Sequence, residues 1–303
     1  MERVGNVRNK EKTILAIEEL IGEDPVGRGI KQVRERGRLT GALGEAAHSL
    51  LKAEATYIVT GFHVVTKRTV ETDGLLGAIF LGRALKQLGK EVYFIHDPET
   101  LRPLWDGIAA ANFLPTLAVQ LTRETMAAKK PEGLLKIAKS ACLVAIERHG
   151  RAADGNYYTM KGVKIEPSPA PLDQLFLNAY NKEFKDVTTI SCADGLNEIG
   201  MNNVPRDSNI QAEERIHSIV PVNHLVVAGT ANWAAYGLIA ALSVLESRND
   251  LLQTEEEEEK VLKAVVDAGA VNEITFESGL TVDTLPLNKH QEIVRNLRLL
   301  LQT

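Results

Sequence analysis

From residue 55 onward the sequence alternates two patterns: short runs rich in Val, Ile and Ala, then stretches with apolar residues at helical spacing. Few folds accommodate that alternation. Strands that are apolar at nearly every position are buried on both faces, and the helices between them return the polypeptide to the same end of the sheet. The pattern therefore predicts an α/β fold, a mostly parallel sheet flanked by helices on both faces, with helical N- and C-terminal additions. The strand runs are ATYIVT at 55–60, EVYFI at 91–95, a third over 116–121, ACLVAI at 141–146, VTTISC at 187–192 and HLVVA at 224–228. Helices are expected over 11–21, 74–88, 101–112, 132–139, 172–183, 209–217, 233–245 and 288–301. One more follows the acidic run 255–259, whose charges suit the positive end of a helix dipole. Segment 22–41 reads as a connector or lid, and 149–171 as an irregular stretch rich in Gly and Pro.

Length alone, at roughly 150 residues per domain, would allow two domains. The continuity of the pattern favours a single α/β domain over 1–303, with a core at about 40–250, an N-terminal helical and lid segment at 1–40 and a C-terminal helical region at 251–303. A hydrophobic content of 44% and a charged content of 25% exclude a disordered protein, a collagen and a coiled coil. Lys and Arg number 35 against 40 Asp and Glu, a net charge of −5, so no nucleic-acid partner is expected. The one basic stretch, 31–38, is interrupted by Glu35 and reads as a solvated face. The charged N-terminus lacks the apolar core of a secretory signal, and no apolar run reaches membrane-spanning length. The expectation is a cytoplasmic protein with no membrane partner. Cys142 and Cys192 lack CxxC spacing and read as small buried residues; Cys192, two residues before Asp194, keeps a nucleophile reading. Gly27, Gly29, Gly37, Gly41 and Gly44 fit neither a dinucleotide nor a P-loop fingerprint.

In open parallel sheets, ligands bind beyond the carboxyl ends of the strands. The residues just beyond the strands are Glu71-Thr72-Asp73-Gly74, His96-Asp97-Pro98, Glu147-Arg148, Asp194 to Glu198, and Gly229 with Asn232-Trp233. Carboxylates thus stand at four strand exits. Clustered in one cleft they would repel, so a proton or a cation must sit among them. Oxygen ligands suit a divalent metal such as Mn²⁺ or Mg²⁺. Glu71, Asp73, Asp194 and Glu198 are the leading metal ligands. Zinc is disfavoured, because only His96 and His149 have any claim and no HExxH spacing exists. Plainer roles exist for each. Asp73 can cap the helix at 74–88, Asp194-Gly195 can form a turn, Glu147-Arg148 an ion pair, and Asn232-Trp233 a helix cap. His63, His217 and His224 read as structural or surface residues; His48 and His290 carry no signal.

The segments TGF at 60–62, ETDGLLGA at 71–78, IERHGRAADGNYYTMKG at 146–162, ADGLNEIGMNNV at 193–204 and ANWAAYGLIAAL at 231–242 resemble the D-glutamate cyclase family, over roughly residues 40–250. The family's Pro-rich stretch after TGF is HVVTKRTV here, and small residues around Asp194 and Asn232 differ. The resemblance implies cyclisation of D-glutamate to 5-oxo-D-proline with loss of water. On that reading Glu147 or Asp194 is the general base, with Glu198 a third catalytic carboxylate. A metal on Glu71, Asp73, Asp194 and Glu198 would polarise the γ-carboxylate. Arg148 or Arg151 would clamp the α-carboxylate. Asp154, Asn156, Asn197 and Asn232 are further candidate substrate contacts. The same acidic cleft also suits a metal-dependent phosphohydrolase, with Arg148 and Arg151 on the phosphate, or a non-catalytic metal- or metabolite-binding module. A pyridoxal enzyme using Lys67 or Lys161 is disfavoured, since no phosphate-cradling loop accompanies either. The expected partner is a small anionic substrate, D-glutamate or a phosphate ester; a homo-oligomer is left open.

Overall fold

The computed structural model describes residues 2–128, 140–181, 184, 186–207 and 211–302. Six parallel strands form its sheet: β1 (Ala55–Thr60), β4 (Glu91–His96), β5 (Leu117–Gln120), β6 (Ala141–Ile146), β7 (Val187–Ala193) and β8 (His224–Val227). The strand order is β5-β4-β1-β6-β7-β8. The polypeptide builds outward from β1 to one side, then crosses back to β6 and builds to the other. The crevice beyond the ends of β1 and β6 is therefore the topological switch point, where open α/β sheets bind ligands.

Register explains why the strand runs are apolar throughout. Phe94, Ile58, Val144 and Ile190 are cross-strand partners and face one core. Their neighbours Tyr93, Tyr57 and Leu143 are likewise partners but face the opposite core, as period-2 alternation requires. Tyr57 and Tyr93 stack there with ring centroids 4.7 Å apart.

The first core is covered by α1 (Glu2–Ile21), α3 (Ala42–Lys52), α4 (Leu75–Gln87), α5 (Leu101–Ala110), α9 (Ala231–Glu246), α10 (Glu255–Asp267) and α11 (Leu287–Leu300). Every residue of α9 from Ala231 to Ser243 is buried, and α4 is buried from Leu75 to Leu85. A helix that is apolar all round must be enclosed, and these two lie between the sheet and the outer helices. The second core is thinner, closed by α2 (Ile30–Gly37), α7 (Asp173–Tyr180) and the irregular loop between β6 and α7. Two shorter helices, α6 (Arg123–Ala128) and α8 (Gln211–Ile216), accompany two hairpins. The hairpins pair β2 (His63–Val64) with β3 (Thr69–Val70), and β9 (Thr281–Val282) with β10 (Leu285–Pro286).

Several boundaries differ from expectation. The first helix begins at Glu2 and not at residue 11. The segment 22–41 contains α2, which the period does not reveal in so short a helix. The helix expected over 132–139 lies outside the described residues. The acidic run opens α10 as expected, with Thr254 and Glu257 forming a reciprocal capping box. One of its acids does more than complement the dipole. Glu258 is fully buried and accepts from the Tyr236 hydroxyl at 2.7 Å and from Gln253 at 3.1 Å. Among the described residues no helix is long and apolar enough to cross a membrane.

Candidate active site

The strand exits bring the acids of the sequence pattern into one crevice. Glu71 and Asp73 lie beyond β1, Glu147 beyond β6, and Asp194 and Glu198 beyond β7. Carboxylate oxygens of Asp73, Glu147 and Asp194 lie within 4.8 Å of one another, and all three residues are buried. Glu71 and Glu198 are buried beside them, at 2% and 1% exposure.

Local backbone geometry builds this cluster. Glu147 sits at φ 47°, in the left-handed region unusual for a residue other than glycine. Its amide donates to the Cys192 carbonyl at 3.2 Å, so the bend at the end of β6 is tied to β7. Gly74, at φ 77°, has no Cβ to obstruct it. Asp73 does not cap α4. Its two oxygens accept from the amides of Ala231, at 2.8 Å, and Asn232, at 3.0 Å, so it caps α9 from a distant loop. Glu198 folds back on its own loop: Oε1 accepts from the Asp194 amide at 2.9 Å and the Gly195 amide at 2.5 Å.

Burial raises the pKa of each of these acids, and mutual repulsion adds to it. Glu71 is raised well above the usual range by desolvation, then by Glu273, Asp283, Asp73 and Asp194. Glu147 is raised by desolvation, then by Glu198, Asp194, Glu71 and Asp73. Asp194 is also raised by desolvation, against the opposing pull of Arg28. Asp73 rises to about 6, where burial and Asp283 outweigh its two amide donors. Glu198 rises to about 8, again by burial against its amide donors.

Two residues of the site carry no signal in the strand-exit pattern. Arg28, from the lid segment, donates from Nη1 to Asp194 Oδ2 at 2.6 Å and to Asp283 Oδ2 at 2.9 Å, and from Nη2 to Asp283 Oδ1 at 2.9 Å. Asp283 lies in the turn of the β9–β10 hairpin, far along the sequence. Asp24 shapes the loop that presents Arg28: its carboxylate accepts from the amides of Gly27, Arg28, Gly29 and Ile30. The signal available in the sequence is an Asp followed by two closely spaced glycines, the composition of a tight turn.

The residues expected to hold substrate are instead engaged within the protein. Arg148 is buried, and its guanidinium donates to Asp97 at 3.0 and 2.6 Å, to the Gly61 carbonyl at 2.8 Å and to the Ala170 carbonyl at 2.9 Å. Arg151 is paired through two nitrogens with Asp173, each at 2.7 Å. Arg148 is thus enclosed by its four acceptors, whereas Arg151, paired with Asp173, keeps its side chain 21% exposed. Asp154 is exposed and joins Asn156 and Tyr158 in a local turn. Asn197 donates to the Tyr158 carbonyl at 2.8 Å, and Asn232 accepts from the Gly77 amide at 2.6 Å, joining α9 to α4. Cys192 is buried with its thiol pushed up by desolvation, the inert state for a cysteine.

The histidines divide. His217 donates to the Met201 carbonyl at 2.7 Å, His224 pairs with Ser49 Oγ at 2.9 Å, and His290 accepts from the Trp233 indole at 2.9 Å. His96 donates to the Asp97 carbonyl at 3.0 Å, away from the acids. His149 stacks on Phe62 with ring centroids 3.6 Å apart. His63 lies with Nε2 3.1 Å from Asp97 Oδ2 and faces a cavity of about 480 Å³. Arg28 and Glu273 line the same cavity, which places it beside the acid cluster; Met160, Lys161 and Phe276 form part of its other walls.

A family model described as "D-glutamate cyclase-like, C-terminal" matches residues 17–298. The human protein "D-glutamate cyclase, mitochondrial" is 30% identical over 320 residues, which cover 94% of this chain and 51% of that protein. The chain thus spans about half the length of the curated relative it matches. Among solved structures, an exopolyphosphatase-related protein from Bacteroides fragilis shares 9% identity at a TM-score of 0.40, covering 87% of this chain and 57% of the other.

Proposed function

The chain belongs to the D-glutamate cyclase-like family, and from that premise we propose that it cyclises D-glutamate to 5-oxo-D-proline with loss of water, at the carboxylate cluster and with a divalent cation. One observation carries this reading: the buried oxygens of Asp73, Glu147 and Asp194 within 4.8 Å of one another at the switch point of the sheet.

The donor set suits a hard cation. Glu71 Oε1, Glu147 Oε2 and Glu198 Oε2 are buried without a hydrogen-bond partner. A buried carboxylate oxygen left in that state is costly unless a cation or a proton meets it. Asp73, Glu147 and Asp194 would hold Mn²⁺ or Mg²⁺, with Glu71 and Glu198 beside them. When bound, the cation supplies Lewis-acid polarisation of the γ-carboxylate.

The remaining chemistry belongs to the protein's own residues. Asp73, Glu147, Asp194, Glu198 and Asp283 all interact with the guanidinium of Arg28, and Glu71 lies among these acids. Burial raises Glu198 to about 8 in the metal-free protein, so its carboxyl holds a proton near neutral pH. That suits a donor to the departing oxygen better than the general base expected of Glu147 or Asp194. Arg28 both balances part of the cluster and lines the cavity, so it is the guanidinium that an incoming carboxylate meets. The reaction joins two ends of one molecule, and most of the acceleration comes from holding the α-nitrogen against the γ-carbon.

The test presents D-glutamate, L-glutamate and a simple phosphate monoester to the purified protein, each with Mn²⁺ and with Mg²⁺. Release of 5-oxo-D-proline without phosphate release is expected. Phosphate release alone would transfer the same cleft to phosphoester hydrolysis, and cation-dependent thermal stabilisation without turnover on any substrate would make it a binding module.

A further inference from the structure

Cyclisation moves two protons. The substrate's ammonium loses both, and the departing γ-oxygen gains both as it leaves as water. The carboxylate cluster serves the oxygen end, which leaves the nitrogen end without an acceptor. We propose that His63 is the general base for the substrate's ammonium, with Asp97 and Arg148 as its positioning residues; this rests on the cyclase reading above.

Three observations support the assignment. First, His63 lines the cavity together with Arg28 and Glu273, so its ring faces the space beside the acid cluster while being only 9% exposed. Second, its Nε2 lies 3.1 Å from Asp97 Oδ2. The two atoms are in ion-pair contact without hydrogen-bond alignment; the adjacent carboxylate favours the proton on the near nitrogen, Nε2, which leaves Nδ1 as the acceptor a base needs. Third, Asp97 is itself fixed. Arg148 donates to both of its oxygens, at 3.0 and 2.6 Å, and the Thr100 hydroxyl adds a bond at 3.0 Å. Arg148 and His63 hold the Asp97 carboxyl well below the usual carboxylate range despite its burial, so it stays ionised. His63, Asp97 and Glu99 also form a three-ligand set on geometry alone. Arg148 already occupies both Asp97 oxygens, and a cation placed there would stand beside a guanidinium, so the triplet is built for a proton.

The charged groups around His63 are few. Asp97 and Glu99 face it from the loop after β4, the latter 3.7 Å from Nε2. The His149 ring meets it edge-on at 5.7 Å. Arg28, Lys161, Lys164 and Glu273 face it across the cavity.

The step balances without redox chemistry. The ammonium gives one proton to Nδ1, and the nitrogen lone pair forms a bond to the γ-carbon. The C–O bond to one γ-oxygen then breaks. A protonated carboxyl of the cluster gives that oxygen one proton and regains it from the nitrogen's second surplus proton, while the proton held on Nδ1 supplies the other, so the oxygen leaves as water and 5-oxo-D-prolinate remains.

The test is kinetic. His63→Gln is expected to lower kcat on D-glutamate by about 10²-fold or more with KM unchanged. It should also flatten the acidic limb of the kcat–pH profile and leave cation-induced thermal stabilisation as in wild type. His63→Ala should regain activity when imidazole is added. Asp97→Asn should lower kcat in the same direction and shift the ring ¹⁵N resonances of His63 away from the Nε2–H tautomer. An active wild type with His63→Gln at near-normal kcat overturns this role alone. So does a loss of kcat with an unchanged pH profile and no imidazole rescue, which marks a structural residue. A folded wild type that makes no 5-oxo-D-proline overturns the cyclase reading and this role together.

Discussion

Gly74 and Glu147 stand so close that a Cβ on Gly74 would lie 2.3 Å from the Cβ of Glu147. The first ends the loop after β1 and the second begins the loop after β6, on the two strands that flank the switch point. Both adopt positive φ, 77° and 47°. The glycine thus sets how near the Glu147 carboxylate comes to Asp73 and Asp194.

Gly74→Ala should therefore damage both fold and site. The added carbon would also meet the Ile146 carbonyl at 3.0 Å, and neither neighbour is the flexible end of a side chain. Left-handed backbone strain alone costs on the order of 1–3 kcal/mol, and displacement of Glu147 adds a loss of cation affinity. Urea unfolding and a manganese titration of the variant measure the two effects; unchanged values in both would show that the loop relaxes freely.

Protons and cations compete for the cluster. Asp73 is raised to about 6 and Glu198 to about 8, with Glu71, Glu147 and Asp194 moved the same way. A carboxyl whose folded pKa lies above its unfolded value holds a proton that the unfolded state has released. Stability of the metal-free protein should therefore fall as pH rises from about 4 to 8, the window between unfolded and raised folded values. A cation present at about 100 times its Kd adds about 2.7 kcal/mol. We expect Mn²⁺ to raise Tm strongly at pH 8 and weakly at pH 5. Thermal melts at the two pH values check this, and equal shifts would show that the metal binds elsewhere.

Glu258 gives a second pH effect, separate from the cleft. Burial pushes it to about 7, against hydrogen bonds from Tyr236 and Gln253. By the same sign rule its contribution is unfavourable above pH 7, fades as pH falls towards 4.5, and amounts to roughly 3 kcal/mol at most. Glu258→Gln should stabilise the protein at pH 8 and leave it nearly unchanged at pH 5. Denaturation at both values decides, and equal destabilisation at the two would show that the carboxylate is preferred there.

Arg148 is predicted to matter for folding before it matters for chemistry. Removing it leaves the Asp97 carboxylate buried without its partner, a loss of about 3–5 kcal/mol for such pairs. Arg148→Met should lower the denaturation midpoint accordingly. A variant of normal stability that has lost only substrate affinity would restore the clamp role that the sequence suggested.

The contrast between Arg148 and Glu147 shows how far the sequence is legible. The strand run ATYIVT is readable with both of its boundaries as they stand, because every position is apolar or small and its ends are marked by charge and glycine. The convergence of Glu71, Asp73, Glu147, Asp194 and Glu198 is legible too, since parallel strands deliver their exit loops to one edge. Arg148 obeys the same rule, but its partner Asp97 stands 51 residues away, at the exit of a strand whose neighbours only the topology reveals. Arg28 and Asp283 come from the 22–41 segment and a C-terminal hairpin that no strand period points to. His63 reads as a structural or surface residue until the exits of β1 and β4 are seen side by side.

The rate of 5-oxo-D-proline formation from D-glutamate, followed by proton NMR in saturating Mn²⁺ for wild type and Asp194→Asn, tests the carboxylate-cluster cyclase most directly. We predict steady product formation by the wild type and at least about a 10²-fold loss in the variant, with both proteins folded. Equal rates, or no product from a folded, manganese-loaded wild type, would contradict it.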